Sequence, residues 1–224
     1  MLIAISQRND ENKHGDRIDN LENNYVKYLE EFGIKFLIIP NVAKDVKYYF
    51  DRFPIEGVIL SGGNDINPKL FGEPENIALA LAPERDLTEK KMLDIAIEKR
   101  LPVLCICRGM QFMNVYFNGK LTKVDNHIAV DHMVDVVDIE AKNLLGKDIN
   151  VNSYHCFGIT PEKLSSKLKA FAKTSEDIIE GIYHPLLPIA GIQWHPERQS
   201  PDKEANQKII NAFMEGELFW RGKI

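Results

Sequence analysis

Short apolar segments alternate with helix-like segments along the first two-thirds of the chain. Four segments are apolar at nearly every position and predict buried β-strands: residues 2–6, 34–39, 57–61 and 102–106. Helical patterns cover three further segments: residues 18–32, residues 84–100, and a segment that begins at or just after Cys107 and ends at Phe117. Apolar strands that alternate with helices are typical of a parallel sheet covered on both faces.

The pattern changes after Gly119. Strand-like segments then follow one another without helices between them: residues 127–139, 149–154, 168–174, 178–183 and 189–194. Only residues 203–213 are helix-like again. We therefore predict an α/β fold, with a central, mostly parallel sheet flanked by helices and an antiparallel extension in the C-terminal third. The sequence shows no repeat or linker, so residues 1–224 are expected to form a single domain.

Composition narrows the function classes. A chain of 224 residues, 44% of them hydrophobic, can bury a core without disulfides. Its 33 acidic and 28 basic residues argue against nucleic-acid binding, which requires a clustered positive surplus. No apolar run approaches the about 20 residues of a membrane span, and the first residues lack a signal-peptide pattern. Because three cysteines make no disulfide framework, we expect a reduced, cytoplasmic protein.

Cys107 stands where a buried strand is expected to turn into a helix, in the segment LPVLCICRGMQ. Such a strand–turn–helix is a nucleophile elbow, and Gly109 lets the helix approach the strand closely. The helix N-terminus favours the thiolate. The backbone N–H of Arg108 is expected to face a developing oxyanion. Elbows usually have glycine where this chain has Cys105, which predicts slightly looser packing there.

His195 and Glu197 form a second candidate pair, in the segment IAGIQWHPER. They stand two residues apart in an extended stretch, so their side chains lean to the same face. Pro196 stiffens the backbone between them. A carboxylate beside an imidazole fixes its tautomer and stabilises the imidazolium. With Cys107, the pair predicts a Cys–His–Glu triad.

The loop SGGND over residues 61–65 follows the third predicted strand. Gly62 and Gly63 permit positive φ and close approach of the backbone to a ligand. Their N–H groups are candidates for the other half of an oxyanion hole. By itself the motif is weak, since such loops are often simple turns.

These motifs, in this order, resemble the class I glutamine amidotransferase-like superfamily. Three details are similar to its γ-glutamyl-γ-aminobutyrate hydrolase-like family: the motif CRGMQ from Cys107, the motif RDxxE from Arg85, and the motif VNSYH from Val151. The resemblance extends over almost the whole chain. One candidate type within this resemblance is the hydrolase that releases a cytidine diphosphoramidate from a γ-glutamyl precursor in capsule biosynthesis, which is similar in size to this chain.

The resemblance implies cysteine-dependent hydrolysis of a small γ-glutamyl amide through a glutamyl thioester, with no metal or organic cofactor. Cys107 would be the nucleophile, His195 the general base and then acid, and Glu197 the residue that orients it. The backbone N–H groups of Gly63 and Arg108 would form the oxyanion hole. The expected substrate contacts are Gly62, Asn64, Asp65, Arg85, Gln111, Ser153, Tyr154 and His155.

The same residues are compatible with other interpretations. A zinc site of Cys105, Cys107, Cys156 and His155 has an unusual C-x-C spacing. Cys156 is a rival nucleophile, although no glycine elbow surrounds it. Arg85 is either a solvated charge that opens a helix or, in the context RDxxE, a residue with a ligand or salt-bridge role.

Further residues bear on the environment of the site. His127 and His132 are expected to be partly exposed structural residues. Phe157 departs from the family pattern, in which glutamine often follows the histidine by two positions, and this departure falls near where the leaving amine is expected to lie.

Two other functions compete with the hydrolase. The first is a glutaminase subunit that supplies ammonia to a separate synthetase, which the arginine after Cys107 disfavours. The second is a non-enzymatic relative, which the intact triad disfavours. The expected partner is a small γ-glutamyl substrate, and a homodimer is compatible with the sequence. Basic residues that could bind a phosphorylated leaving group are Arg8, Lys13, Arg17, Arg85 and Arg198.

Overall fold

The computed structural model describes residues 1–77 and 80–216 and has an α/β architecture. Its strands in chain order are β1 (Leu2–Ile5), β2 (Arg8–Glu11), β3 (Arg17–Asn20), β4 (Lys35–Ile38), β5 (Gly57–Leu60), β6 (Val103–Ile106), β7 (Thr122–Lys123), β8 (Ile128–Val136), β9 (Asp148–Tyr154), β10 (Phe157–Gly158), β11 (Lys169–Lys173), β12 (Ile179–Tyr183) and β13 (Ile189–Ile192). Its helices are α1 (Asn23–Glu31), α2 (Lys47–Arg52), α3 (Pro83–Lys99), α4 (Arg108–Tyr116), α5 (Ile139–Leu145) and α6 (Lys203–Met214).

Nine of the described strands form one sheet in the order β4-β1-β5-β6-β13-β12-β11-β8-β9. The strands from β4 to β13 are parallel to one another. The strands β12, β11, β8 and β9 continue the sheet in antiparallel fashion. This topology confirms the predicted fold class, including the antiparallel extension in the C-terminal third.

Apolar clusters cover the two faces of this sheet. Consecutive residues of β6 alternate between them, with Leu104 in one cluster and Cys105 in the other. Residues of α1, α5 and α6 belong to the first cluster, and residues of α2, α3 and α4 to the second. Strands in the middle of the sheet are therefore buried on both sides, which explains why β5, β6 and β13 are apolar throughout. Among the described residues, no helix is long and apolar enough to cross a membrane.

The first predicted helix, residues 18–32, is wrong at its N-terminal end. Residues Arg17–Asn20 form β3, which pairs with β2 in a hairpin, and the helix begins only at Asn23. The Asp19 carboxylate accepts hydrogen bonds from the Asn9 amide (2.8 Å) and the Asn41 backbone N–H (2.8 Å). These partners are distant along the chain, so contacts across the fold override the local helical spacing.

The expectation of no helix between the later strands is also wrong. Helix α5 separates β8 from β9, and the predicted strand over residues 127–139 ends at Val136. Asp138 is the N-cap, because its side chain accepts hydrogen bonds from the N–H groups of Glu140 (2.9 Å) and Ala141 (3.2 Å). The short helix α2 was not predicted either.

The carboxyl ends of β5, β6 and β13 lie side by side in the middle of the sheet. Ile192 of β13 is in register with Ile106 of β6, and Leu60 of β5 pairs with Cys105. Parallel strands end at the same edge of a sheet, which is where ligands bind in open α/β folds. Three predicted motifs follow these ends and must converge there: residues 61–65, residues 107–111 and residues 193–197.

Candidate active site

Cys107 occupies a sharp turn between β6 and α4. Its backbone has φ 52° and ψ −106°, a conformation that L-residues rarely adopt. Its N–H donates to the Ile192 carbonyl at 2.7 Å, which ties the turn to β13. Helix α4 also lies so close to the neighbouring strand β5 that a Cβ on Gly109 would lie 2.3 Å from the Leu60 carbonyl oxygen. The turn therefore has the geometry of a nucleophile elbow and holds the thiol at the N-terminus of α4.

His195 and Glu197 form a buried ion pair beside this thiol. His195 Nδ1 lies 2.6 Å from Glu197 Oε1, so the carboxylate keeps a proton on Nδ1 and leaves Nε2 for proton transfer. Burial alone would lower the pKa of His195. The charge on the Cys107 thiolate and that on Glu197 outweigh burial and raise this pKa to about 10. The arrangement therefore favours a protonated imidazole beside the Cys107 sulfur.

Asn152, on β9, holds the backbone of His195 in place. Its Oδ1 accepts the His195 N–H at 2.9 Å, and its Nδ2 donates to the His195 carbonyl at 2.8 Å. The oxygen and the nitrogen of the Asn152 side chain therefore both hydrogen-bond the backbone of His195. This clamp explains how an imidazole that follows the end of a strand keeps a fixed position.

The loop after β5 lies against the imidazole. A Cβ on Gly62 would come within 2.8 Å of His195 Cε1, and the Gly62 N–H donates to the Tyr25 hydroxyl at 2.8 Å. Gly63 has a φ of +96°, which favours glycine. In the described part of the chain, the N–H groups of Gly63 and Arg108 donate to no other residue. Both remain open to a ligand.

A buried network of four charges lies behind the elbow and the loop. The Arg108 guanidinium pairs with Asp86 and Glu89, and Arg85 Nε donates to Glu89 at 2.8 Å. Arg85 also donates to the carbonyl groups of Ser61 (2.6 Å) and Gly62 (2.9 Å). Burial alone would raise the pKa of Glu89, but the two arginines outweigh it and lower this pKa. Arg85 is therefore a buried ion-pair partner rather than a solvated charge, and it holds the carbonyl groups of the loop after β5.

A cavity of about 170 Å³ lies over Cys107. Of the predicted substrate contacts, five line it: Asn64, Asp65, Gln111, Tyr154 and His155. Gly62, Arg85 and Ser153 do not. A larger cavity of about 740 Å³ lies beside α3 and α4 but contains neither Cys107 nor His195, so size alone does not locate the chemistry.

Ser153 and His155 use their polar atoms within the fold. Ser153 Oγ is fully buried and donates to the His127 carbonyl at 2.8 Å. His155 Nδ1 donates to the Phe157 carbonyl at 2.9 Å, and its Nε2 lies 3.3 Å from Glu180 Oε1. The Nδ1 atom of His155 is therefore used within the fold, and its Nε2 faces a buried carboxylate.

Comparison with known proteins identifies the family. The family model described as Peptidase C26 matches residues 1–197. The chain belongs to the Peptidase C26 family. It is 35% identical to gamma-glutamyl-CDP-amidate hydrolase of Campylobacter jejuni over 89% of this chain and 92% of that protein. It is 25% identical to gamma-glutamyl-gamma-aminobutyrate hydrolase of Escherichia coli K12, over 89% and 87%.

The fold of this C26 chain also matches a solved structure. It superimposes on a glutamine amidotransferase from Thermotoga maritima with a TM-score of 0.60 and 14% identity. The match covers 96% of this chain and 82% of that one. It establishes the shared α/β fold, in agreement with the resemblance seen in the motifs.

Glu180 lies at the centre of a histidine cluster in this C26 fold. Ligand atoms of His127, His132 and Glu180 lie within 4.8 Å of one another, with His–Glu separations of 3.9 and 3.7 Å. A tetrahedral zinc ion with bonds of about 2.0–2.1 Å sets its ligand atoms about 3.4 Å apart, so these side chains would have to move closer to hold one. His127 is buried, which corrects the expectation of partial exposure, whereas His132 keeps 18% of its side chain exposed.

The cluster compensates the charge of a fully buried carboxylate. Burial alone would raise the pKa of Glu180, but His132 and His155 outweigh it and lower this pKa to about 2. The other zinc site considered for this sequence, Cys105, Cys107, Cys156 and His155, is not among the described groups whose ligand atoms lie close enough to hold a metal ion.

Arg8 and Arg198 line the mouth of the cavity. Arg198 Nη2 lies 3.0 and 3.1 Å from the two oxygens of Glu22, and Arg8 Nη1 lies 3.7 Å from the same carboxylate. The Arg198 guanidinium also stacks 4.6 Å above the Tyr154 ring. The other basic candidates, Lys13, Arg17 and Arg85, do not line the cavity.

Three polar side chains around Cys107, His195 and Glu197 were not predicted from the sequence: Tyr25, Asn152 and Gln193. Gln193 is fully buried, and its Nε2 donates to Cys107 Sγ at 3.6 Å. A polar residue within the apolar segment IAGIQW could have revealed it, since buried polar groups need partners. Tyr25 was counted among the apolar positions of a helix, and nothing local shows that its hydroxyl accepts from Gly62.

Proposed function

We propose that the chain is a cysteine hydrolase that cleaves the γ-glutamyl amide bond of a small conjugate and releases glutamate and an amine or amidate. The convergence of three groups on one cavity carries this proposal: the strained Cys107, the His195–Glu197 pair, and the open N–H groups of Gly63 and Arg108. The substrate class is supported by the names of the Campylobacter jejuni and Escherichia coli relatives, which are both gamma-glutamyl hydrolases.

In the first half of the reaction, the Cys107 thiolate attacks the carbonyl carbon of the amide. The N–H groups of Gly63 and Arg108 donate to the oxyanion of the tetrahedral intermediate. The C–N bond then breaks as the His195 imidazolium gives its proton to the leaving amine. The products are a free amine and a glutamyl thioester on Cys107.

In the second half, water replaces the amine. Neutral His195 takes a proton from the water as it attacks the thioester carbonyl. Collapse of the second tetrahedral intermediate breaks the C–S bond and releases glutamate, and the thiolate is restored beside the imidazolium. Glu197 acts through His195 in both halves by fixing its tautomer and stabilising its charged form.

Substrate recognition is divided between the floor and the mouth of the cavity. Gln111 Nε2 donates to the Phe157 carbonyl at 2.8 Å, which leaves its Oε1 to accept from the α-ammonium group of the glutamyl moiety. Arg8 and Arg198 at the mouth favour a leaving group that carries negative charge. Glu22 neutralises part of their charge, so such a group competes with that carboxylate.

Glutamate release tests the proposal, with wild type and Cys107→Ala assayed on γ-glutamyl-γ-aminobutyrate, other γ-glutamyl amines, a γ-glutamyl nucleotide amidate and free glutamine. Cys156→Ala is the matched control, because Cys156 also lines the cavity. We expect strong turnover of one conjugate, weak turnover of glutamine, and loss of activity only in Cys107→Ala. Activity that survives in Cys107→Ala would overturn the assigned nucleophile. Turnover of glutamine alone, or only with an added synthetase, would assign a glutaminase subunit instead.

A further inference from the structure

Gln193 places an amide directly beside the sulfur of Cys107. It follows β13, its side chain is fully buried, and its backbone N–H donates to the Glu180 carbonyl at 2.8 Å. Its side-chain Nε2 lies 3.6 Å from Cys107 Sγ, within range of a hydrogen bond to sulfur. Its Oε1 lies 3.4 Å from Gln111 Nε2.

The direction of this hydrogen bond follows from a chain of side chains that ends at a backbone carbonyl. The Phe157 carbonyl oxygen can only accept, so the Gln111 atom 2.8 Å away must be its NH₂ group. That group then also faces Gln193, which must present its oxygen to it. The opposite end of the Gln193 amide, an NH₂ donor, is consequently aimed at Cys107.

His155 contacts the far end of this chain and lies beside the buried Glu180. His155 Nδ1 donates to the same Phe157 carbonyl at 2.9 Å, and its Nε2 lies 3.3 Å from the buried Glu180 carboxylate. The Phe157 carbonyl therefore accepts from two side chains, and its fixed acceptor character sets the donor directions as far as the sulfur.

We propose that Gln193 is a catalytic residue that stabilises the Cys107 thiolate by donating a hydrogen bond to it, and that Gln111 is the positioning residue for this donor. A hydrogen bond to an ionised acceptor favours the charged form over the neutral one. The assignment rests on the proposed nucleophile, and it adds a second donor to the sulfur besides His195.

The test measures the rate of Cys107 alkylation by iodoacetamide against pH, which requires no substrate. Fragment ions of the modified peptide separate Cys107 from the buried Cys105. We expect the midpoint of the profile to rise by about one pH unit in Gln193→Met, which keeps the size of the side chain and removes the donor. Gln199→Met, an exposed change six residues further on, should leave the midpoint unchanged.

Other titratable groups that interact electrostatically with Cys107 stay in place in this variant: His195, Tyr25 and Cys156. Gln111→Met provides a second probe should Gln193→Met fail to fold. It removes the group that orients the Gln193 amide and should raise the midpoint by a smaller amount. A midpoint that stays unchanged in the folded variants overturns the role of Gln193. Wild-type Cys107 that reacts only in the alkaline range of the exposed Cys156 overturns the proposed function as well.

Discussion

The buried charge network predicts that Glu89→Gln will strongly destabilise the fold. The Glu89 carboxylate is fully buried and accepts from Ser6 Oγ (2.8 Å), from Arg85 Nε (2.8 Å) and from Arg108 Nη1. With Asp86, it balances the two arginines so that the network is neutral. A glutamine has one acceptor oxygen and turns an NH₂ donor toward another donor.

The magnitude follows from the charge left behind. Two buried guanidinium groups would share only the Asp86 carboxylate, and breaking a buried ion pair by removing one partner costs about 3–5 kcal/mol. In a chain of this size each kcal/mol lowers Tm by about 2–4 °C, so the expected loss is about 6–20 °C. The loss is largest near neutral pH. The pKa of Glu89 is lowered in the fold, so its contribution is present above the unfolded value and disappears as pH falls through the folded value.

Urea unfolding and thermal melts of purified wild type and Glu89→Gln at pH 7 measure the effect. Glu98→Gln is the matched control, because Glu98 is exposed on the same helix and should change stability by less than about 0.5 kcal/mol. If Glu89→Gln unfolds within about 1 kcal/mol of wild type, the four charges do not form the coupled network described above.

Three other changes test separate parts of the structure. Glu197→Gln should lower kcat for glutamate release by about 10²–10⁴-fold without loss of fold, because a neutral amide cannot stabilise the imidazolium; unchanged kcat would contradict its role. Gly109→Ala should destabilise the chain by more than about 2 kcal/mol in urea, since its Cβ would lie 2.3 Å from a Leu60 carbonyl oxygen that cannot move. Gly158→Ala, whose nearest contacts are side-chain methyls at 3.0 and 3.2 Å, should cost less, and equal losses would refute the steric argument. The pKa of Glu180 is about 2 in the fold against 4.5 for the free side chain, so about 3 kcal/mol of stability is present above pH 4.5 and lost as pH falls to 2. The difference in free energy of unfolding between wild type and Glu180→Gln, measured by urea unfolding at a series of pH values, should therefore shrink between pH 4.5 and pH 2.

Elements with strong local patterns were predictable from the sequence. The apolar strands that became β5, β6 and β13 could be recognised because central strands of a parallel sheet are buried on both faces. The Cys107 turn could be recognised because an elbow requires a particular residue order over a few positions. The hairpin of β2 and β3 could not, since its strand pairing and the partners of Asp19 come from other segments.

The sequence by itself determined the fold class and which motif follows the carboxyl end of each central strand: the SGGND loop, Cys107 and the His195–Glu197 pair. These features depend on residue type and short spacing, and the rules of parallel sheets bring the strand ends to one edge. Only the tertiary structure decided which polar side chains face the cavity. Ser153 and Arg85 belong to motifs but turn inward, whereas Gln193 reaches the sulfur of a residue 86 positions away. Side-chain direction depends on packing between distant segments, and no local pattern contains that information.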